Sequence, residues 1–119
     1  MQRMWRATLN TMNGLRAAAS SEAAFRQELM ALIAAVPLAL IIGTTVWSAL
    51  ALIGVVLAVM IVELLNTAIE KLADRITLEH DPIIGRVKDM GSAAVGLTLL
   101  LAGAVWLVAL WERLTELLR

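Results

Sequence analysis

The sequence predicts an all-α membrane protein, in which three transmembrane helices follow an N-terminal amphipathic helix at the membrane surface. Its 119 residues are 61% hydrophobic and have a mean hydropathy of +0.83, whereas a soluble domain is only about half apolar. Three windows, 29–47, 48–69 and 90–111, can each cross a bilayer, because a spanning helix needs roughly 20 mainly apolar residues. The first and third windows contain no charged side chain. We therefore expect one integral-membrane domain over residues 1–119.

Residues 1–28 form a surface segment that begins with the pattern of an amphipathic helix. Its apolar side chains fall within about 120° of arc at ~100° per residue; they are Met1, Trp5, Leu9, Met12 and Leu15. Arg3, Arg6, Asn10 and Asn13 lie on the other side. Such a basic helix is typical of the membrane interface, although a helix packed on protein would show the same pattern. Arg16 falls inside the apolar arc just after Gly14, which predicts that the helix bends or ends there.

The positions of lysine and arginine predict the orientation of the spans. The N-terminal segment carries four arginines, and the segment 70–89, a continuation of the second span followed by a loop, carries two lysines and two arginines. The connection "GTTVWS" between the first two spans carries none. We expect the N-terminus and the 70–89 segment in the cytoplasm and the C-terminus outside.

Composition excludes several classes of function. The chain contains no cysteine, so that neither a disulfide framework nor a thiolate metal site is possible. The net charge is zero, which gives no general basic field for nucleic acid.

Two features of the spans concern helix geometry. Pro37 lies inside the first span and predicts a kink, because proline removes one hydrogen bond of the helix. Ser92, Gly96 and Gly103 form a stripe of small residues on the third span. Small residues let helices approach closely, and this stripe is therefore expected to be a packing surface.

The second span carries a polar face in its cytoplasmic half. On a helix, Glu63, Asn66, Glu70 and Asp74 share an arc of roughly 80°. A carboxylate near the centre of a bilayer costs ~2.5–3.5 kcal/mol, and it therefore indicates a function. Two further polar clusters face the same compartment, one around Glu22, Arg26 and Glu28 and the other in "GRVKDMGSAA".

These residue types have the chemistry that phosphoryl transfer requires. Magnesium is typically bound through one or two carboxylates together with water and substrate phosphates. Lys88 provides a point charge for a phosphate, and a buried carboxylate can accept a hydroxyl proton. The chain has no Walker-type or kinase glycine loop and no dinucleotide fingerprint, so that a nucleotide would bind to helix ends and a loop.

Each of these features also has a purely structural interpretation. Glu63 and Asn66 could form an interhelical hydrogen-bonded pair that fixes an oligomer. Glu22 and Arg26 could form a solvated pair, and His80 could be an ordinary loop residue. Lys88 and Asp89 could simply flank the third span, where Asp89 favours the start of a helix electrostatically.

Three motifs resemble those of the bacterial integral-membrane diacylglycerol kinase family. They are "GLRAA" followed by "EAAFRQE" before the first span, "VMIVELLNTAIE…DR" in the second span, and "GRVKDMGSAAV" at the start of the third. The resemblance is collinear from about Gly14 to Trp111. It implies a homotrimeric enzyme of the bacterial inner membrane, active in phospholipid metabolism, that transfers the γ-phosphoryl of MgATP to the hydroxyl of diacylglycerol.

The resemblance also implies roles for individual residues. Glu63 would be the catalytic base, Asn66 would be a supporting residue of the site, and Glu22 and Glu70 would be the magnesium ligands. The residues that would contact ATP are Glu22, Glu70, Glu79, Lys88 and Asp89. Those that would line the lipid site are Arg3, Ala24, Phe25, Arg26, Gln27, Glu28, Glu63, Ser92 and Trp106. Three short spans cannot enclose a nucleotide alone, so that sites shared between protomers are expected.

Two alternatives to this function remain open. A sister branch of the family phosphorylates undecaprenol with the same core motif, although "AAFRQE" and "KDMGSAA" are more similar to the diacylglycerol branch. A non-enzymatic oligomer, either a scaffold or an ion conductor lined by Glu63 and Asn66, belongs to a different class. It gives no role to Glu22, Lys88 or Asp89.

Overall fold

The computed structural model describes all residues from Met1 to Arg119 and contains four α-helices and no strand. The helices are α1 (Gln2–Ser21), α2 (Ala23–Ile42), α3 (Val46–Ile76) and α4 (Pro82–Leu117). Helices α2, α3 and α4 are each long and apolar enough to cross a membrane, which confirms the predicted fold class. Of the 99 backbone hydrogen bonds, 90 lie within the helices. This self-contained bonding is what a chain in lipid requires.

The helices extend beyond several of the predicted spans. Helix α2 begins earlier than the predicted first span, at Ala23, but it ends at Ile42, so that the predicted end at residue 47 is wrong. Helix α3 begins at Val46 and continues past residue 69 to Ile76. Only residues 77–81 separate α3 from α4. The side chain of Asp81 caps α4, because its Oδ1 accepts hydrogen bonds from the backbone N–H groups of Ile83 and Ile84 at 2.8 and 3.1 Å. Pro82 then occupies the first turn, where its missing N–H costs nothing.

Helix α1 continues through Gly14 and Arg16 to Ser21, so that the predicted end of the helix at Arg16 is wrong. The chain turns instead at Glu22, whose extended backbone (φ −113°, ψ 110°) separates α1 from α2. The apolar side chains of α1 are exposed along the helix, and Trp5 remains 65% accessible. Leu15, at the end of this face, lines a groove with Leu64 and Ala68 of α3, and the exposed remainder of the face is free for the membrane or for another protomer.

Helix α3 is the centre of the bundle, because it packs along both α2 and α4 while α2 and α4 hardly meet. One small core lies towards the α1–α2 junction and contains Ala18, Phe25 and Met60. A second core lies towards the α2–α3 turn and contains Ala39, Leu52 and Ala109. The chain buries only 11 of its 119 residues, so that most of its apolar surface must be covered by lipid or by other protomers.

Two side chains of α4 fasten it to the neighbouring helices. The indole Nε1 of Trp106 donates a hydrogen bond to the carbonyl of Leu52 on α3 at 3.1 Å. The guanidinium of Arg113 donates to the carbonyls of Ile42 and Gly43 at 3.1 and 2.9 Å. These carbonyls lack an intrahelical partner because they lie at the end of α2.

Within one chain no other helix packs closely against the predicted stripe of small residues, although Gly103 lines an open cavity between α2, α3 and α4. A Cβ atom built on Gly96 or Gly103 meets no other atom within 4 Å. The close approach of α4 to α3 occurs instead at Gly91, which is buried against Asn66 of α3.

Candidate active site

Helix α3 carries the predicted polar face on one continuous element. The side-chain amide of Asn66 donates from Nδ2 to Oε1 of Glu70 at 3.2 Å. Asn66 is also the one buried polar residue in the chain, with 7% of its surface accessible. Its hydrogen bond therefore lies within α3, one helical turn along, and does not join two helices.

The oxygen of the same amide points at α4. Oδ1 of Asn66 is fully buried and has no hydrogen-bond partner. It lies against Gly91, where an added Cβ would overlap with it.

Glu22, at the junction of α1 and α2, forms an ion pair with Lys71 of α3, with 2.8 Å between Nζ and Oε1. The hydrogen bond from Lys71 holds the pKa of the Glu22 carboxyl below its usual value, with a further contribution from its positive charge. This pair brings Glu22 beside the residue that follows Glu70.

Four carboxylates form a series that descends into the membrane-spanning part of the bundle. Glu22 lies at the α1–α2 junction and Glu28 lies in the second turn of α2. Glu63 and Glu70 lie two helical turns apart on α3, which packs along α2. Both Glu63 and Glu28 are partly buried, and Oε2 of Glu28 has no hydrogen-bond partner.

Glu28 opens into an apolar cavity of about 310 Å³ between α2, α3 and α4. Its other lining residues are Ala31, Val56, Val59, Leu99, Ala102, Gly103 and Trp106. The cavity combines one carboxylate with hydrocarbon walls, and this combination suits an amphiphile that has a polar group and an alkyl chain.

The loop between α3 and α4 forms a second, polar pocket of about 300 Å³. Its lining includes Glu79 and Lys88, two of the residues that the sequence predicts to contact a nucleotide. Nζ of Lys88 also lies 2.5 Å from Oδ1 of Asp74, which ties the start of α4 to the end of α3. Asp89 is exposed beside Lys88.

The structure distributes the other predicted lipid contacts unevenly. Ala24, Gln27 and Ser92 are exposed, and Arg26 is exposed while its Nη1 donates to the carbonyl of Ala19 at 3.0 Å. Phe25 is buried in the core with Ala18 and Met60, so that in this protomer it packs helices together. Arg3 lies at the far end of α1, in a groove lined by α1 alone. It is not brought to Glu63 within one chain.

Two residues of the site were not singled out from the sequence. Lys71 lies directly after Glu70, about 100° away from the polar face of α3, and its partner Glu22 is distant along the chain. Gly91 belongs to the quoted motif "KDMGSAA", but only the structure reveals the amide that it faces.

The donor set fits magnesium that is bound together with a nucleotide. No cluster of three or more histidine, aspartate or glutamate side chains capable of holding a metal exists in the structure. Magnesium is usually held through only one or two carboxylates, with phosphate and water oxygens completing its shell. Glu22 and Glu70 are the two carboxylates that the sequence predicts for this role.

The fold and the site define a multi-pass helical membrane protein with a series of carboxylates between an apolar cavity and the helix ends. Residues 9–110 match the model of the family described as prokaryotic diacylglycerol kinase. The chain belongs to this family.

Several relatives are similar over most of their length. The diacylglycerol kinase of Escherichia coli strain K12 is 48% identical over 99 residues, which are 83% of this chain and 81% of the relative. That of Haemophilus influenzae is 40% identical over 99 residues, covering 83% and 84%. That of Pseudomonas aeruginosa is 38% identical over 106 residues, covering 89% and 86%.

Proposed function

We propose that the protein is an ATP-dependent diacylglycerol kinase, which transfers the γ-phosphoryl group of ATP to the hydroxyl of diacylglycerol and forms phosphatidic acid. Family membership and the names of the relatives support the lipid acceptor and the phosphoryl transfer.

The observation that carries the proposal is the placement of four carboxylates along α2 and α3, from the partly buried Glu28 and Glu63 to Glu70 and Glu22. A lipid hydroxyl lies at the boundary of the hydrocarbon, whereas ATP is confined to water. An enzyme that joins them needs polar groups at both depths, and α3 provides both on one helix. Glu63 and Glu70 are separated along its axis by about 10 Å at the ~1.5 Å rise per residue of a helix.

Glu63 is the proposed base. The hydroxyl oxygen of the lipid attacks the γ-phosphorus, and the bond from that phosphorus to the β,γ-bridging oxygen breaks. The hydroxyl proton passes to the carboxylate of Glu63, and ADP leaves with the bridging oxygen. The catalytic demand is mainly positioning and charge neutralisation.

Glu22 and Glu70 are the proposed ligands of magnesium. Bound with ATP, the ion supplies charge neutralisation on the phosphates. The ammonium of Lys71 already pairs with one oxygen of Glu22 and therefore competes with the ion for this carboxylate. Lys88, Asp89 and Glu79, at the α3–α4 loop, are the proposed contacts of the nucleotide.

The lipid site is proposed to include the cavity beside Glu28 and the face of α2 that carries Ala24, Arg26 and Gln27. Trp106 contributes its ring as a wall, because its N–H is already bonded to Leu52. Arg3, Phe25 and Ser92 remain proposed contacts as well. Since Arg3 is remote within one chain, its contribution requires a site shared between protomers, which is consistent with the proposed homotrimer.

The proposed location is the bacterial inner membrane, with the N-terminus and the α3–α4 loop in the cytoplasm and the C-terminus outside. The distribution of lysine and arginine supports this orientation. It brings the ATP-binding end of the site to the compartment that contains ATP.

The test is transfer of radiolabel from [γ-³²P]ATP to lipid in mixed micelles, with diacylglycerol and undecaprenol as parallel acceptors. We expect labelled phosphatidic acid, and a much weaker signal with undecaprenol. Stronger labelling of undecaprenol would assign the protein to the sister branch. Absence of labelled product with both lipids, together with ion flux in liposomes, would support the non-enzymatic oligomer instead.

A further inference from the structure

Gly91 is distinguished from the other glycines of α4 by what it contacts. A Cβ atom added at Gly85, Gly96 or Gly103 meets nothing within 4 Å. At Gly91 the same atom would overlap with Oδ1 of Asn66. The absence of a side chain at this one position therefore determines where the amide of Asn66 can lie.

The amide of Asn66 has one hydrogen bond, and that bond goes to Glu70. Its Nδ2 donates to Oε1 of Glu70 at 3.2 Å, while Oδ1 is buried without a partner. The reverse orientation would turn the amide oxygen towards the carboxylate of Glu70, where two acceptors repel. The position of the amide therefore fixes one oxygen of Glu70.

From this geometry we infer that Gly91 is a positioning residue for the nucleotide site. By leaving space for Asn66, it allows the amide of Asn66 to hold the carboxylate of Glu70 in place. The inference rests on the proposed function, in which Glu70 binds magnesium with ATP. It adds a residue of α4 that touches neither substrate nor metal and acts through its neighbour on α3.

A methyl group at Gly91 has a predictable effect. The atom it meets is the end of a side chain and not backbone, so the amide moves more easily than the two helices separate. Glu70 then loses its donor and becomes more mobile. Helix α4 itself does not suffer, because alanine favours helix more than glycine does.

The experiment compares Gly91→Ala with Gly96→Ala, the same substitution on the same helix at a position without a neighbour. A hydrogen bond to a charged group corresponds to a change of about tenfold to hundredfold in binding. We expect Gly91→Ala to raise the KM for MgATP by about tenfold or more, while kcat with saturating ATP and the KM for lipid change little. Gly96→Ala should leave all three unchanged.

A double-variant cycle tests whether Gly91 acts through Asn66. Asn66→Ala removes the donor without adding an atom to α4, and should raise the KM for MgATP to a similar extent. Adding Gly91→Ala to Asn66→Ala should then have no further effect, because the overlap is gone. If Gly91→Ala alone does not fold, the double variant should still fold. Its KM for MgATP is then compared with that of Asn66→Ala, and equal values would support the inference.

A second measurement does not depend on catalysis. In the nucleotide-free protein, the side-chain NH₂ resonances of Asn66 are identified by their loss in Asn66→Ala. Their chemical shifts should change in Gly91→Ala and stay unchanged in Gly96→Ala. Unchanged resonances, an unchanged KM in Gly91→Ala or Asn66→Ala, or additive effects in the double variant would overturn the inference. Failure of the wild-type protein to phosphorylate lipid would instead overturn the proposed function, and the NMR comparison would still test the contact.

Discussion

The ammonium of Lys71 lies 2.8 Å from the carboxylate of Glu22, so that a proposed metal ligand is paired with a cation of its own chain. The pair joins the α1–α2 junction to α3. It also makes the binding of a divalent ion at Glu22 a competition between two cations.

Lys71→Ala should lower the magnesium concentration that gives half-maximal activity, because it removes the competing ammonium. Titration of lipid-kinase activity with magnesium at fixed ATP measures this. Arg75→Ala is the matched control, since it removes an exposed positive charge from the same helix and Arg75 forms no ion pair. A higher magnesium requirement in Lys71→Ala would show that Lys71 assists binding and does not compete.

Glu22→Gln and Glu70→Gln should each raise the magnesium and ATP concentrations needed for activity, because each removes an anionic oxygen ligand. Binding of Mn²⁺, followed by electron paramagnetic resonance in the presence of ATP, measures the same loss without turnover. Glu112→Gln, at the opposite end of α4, is the control. Normal metal titrations in both variants would argue against these ligands.

Glu63→Gln should abolish most of the turnover, because glutamine retains the shape of the side chain but cannot accept a proton. General-base assistance typically supplies about 10²–10⁴-fold, or roughly 3–5 kcal/mol of barrier. Nucleotide binding should change little, and thermal stability should be unchanged or improved, since the variant removes an intramembrane acid. A folded variant that binds ATP and phosphorylates lipid at nearly the wild-type rate would exclude Glu63 as the base.

Arg113→Met should destabilise the protein without affecting its chemistry. It removes the donors that satisfy the carbonyls of Ile42 and Gly43 at the end of α2, and a hydrogen bond from a charged group contributes about 1.5–3 kcal/mol. Thermal unfolding in detergent measures the loss, and KM values at low temperature should remain normal. Arg119→Met, at the chain terminus, is the control; equal melting of the two variants would contradict this role.

The sequence was sufficient for those parts of the site that depend on a single helix. Glu63, Asn66 and Glu70 share a face because helical periodicity fixes their angles, and the hydrogen bond from Asn66 to Glu70 follows from the same spacing. The number of spans followed from length and hydropathy. Helix ends were less predictable, because α3 continues through charged residues to Ile76.

Contacts between helices could not be predicted in the same way. The pairing of Lys71 with Glu22 and the contact of Gly91 with Asn66 depend on how the helices are rotated against each other. The stripe containing Gly96 illustrates the difference, because small residues indicate that close packing is possible but do not identify the helix that approaches. Within one chain α3 approaches at Gly91.

Helix α3 is one unbroken rod of 31 residues, about 46 Å long at ~1.5 Å per residue, while the hydrocarbon of a bilayer is only ~30 Å thick. In the proposed orientation the C-terminal part of α3 therefore extends beyond the hydrocarbon into the cytoplasm as a continuous helix. The distance between the proposed base, Glu63, and the phosphate donor is then set by the protein, whereas the depth of the acceptor hydroxyl is set by the surrounding lipid. A host bilayer that is too thick or too thin shifts one against the other, so hydrophobic mismatch becomes a kinetic variable of the reaction.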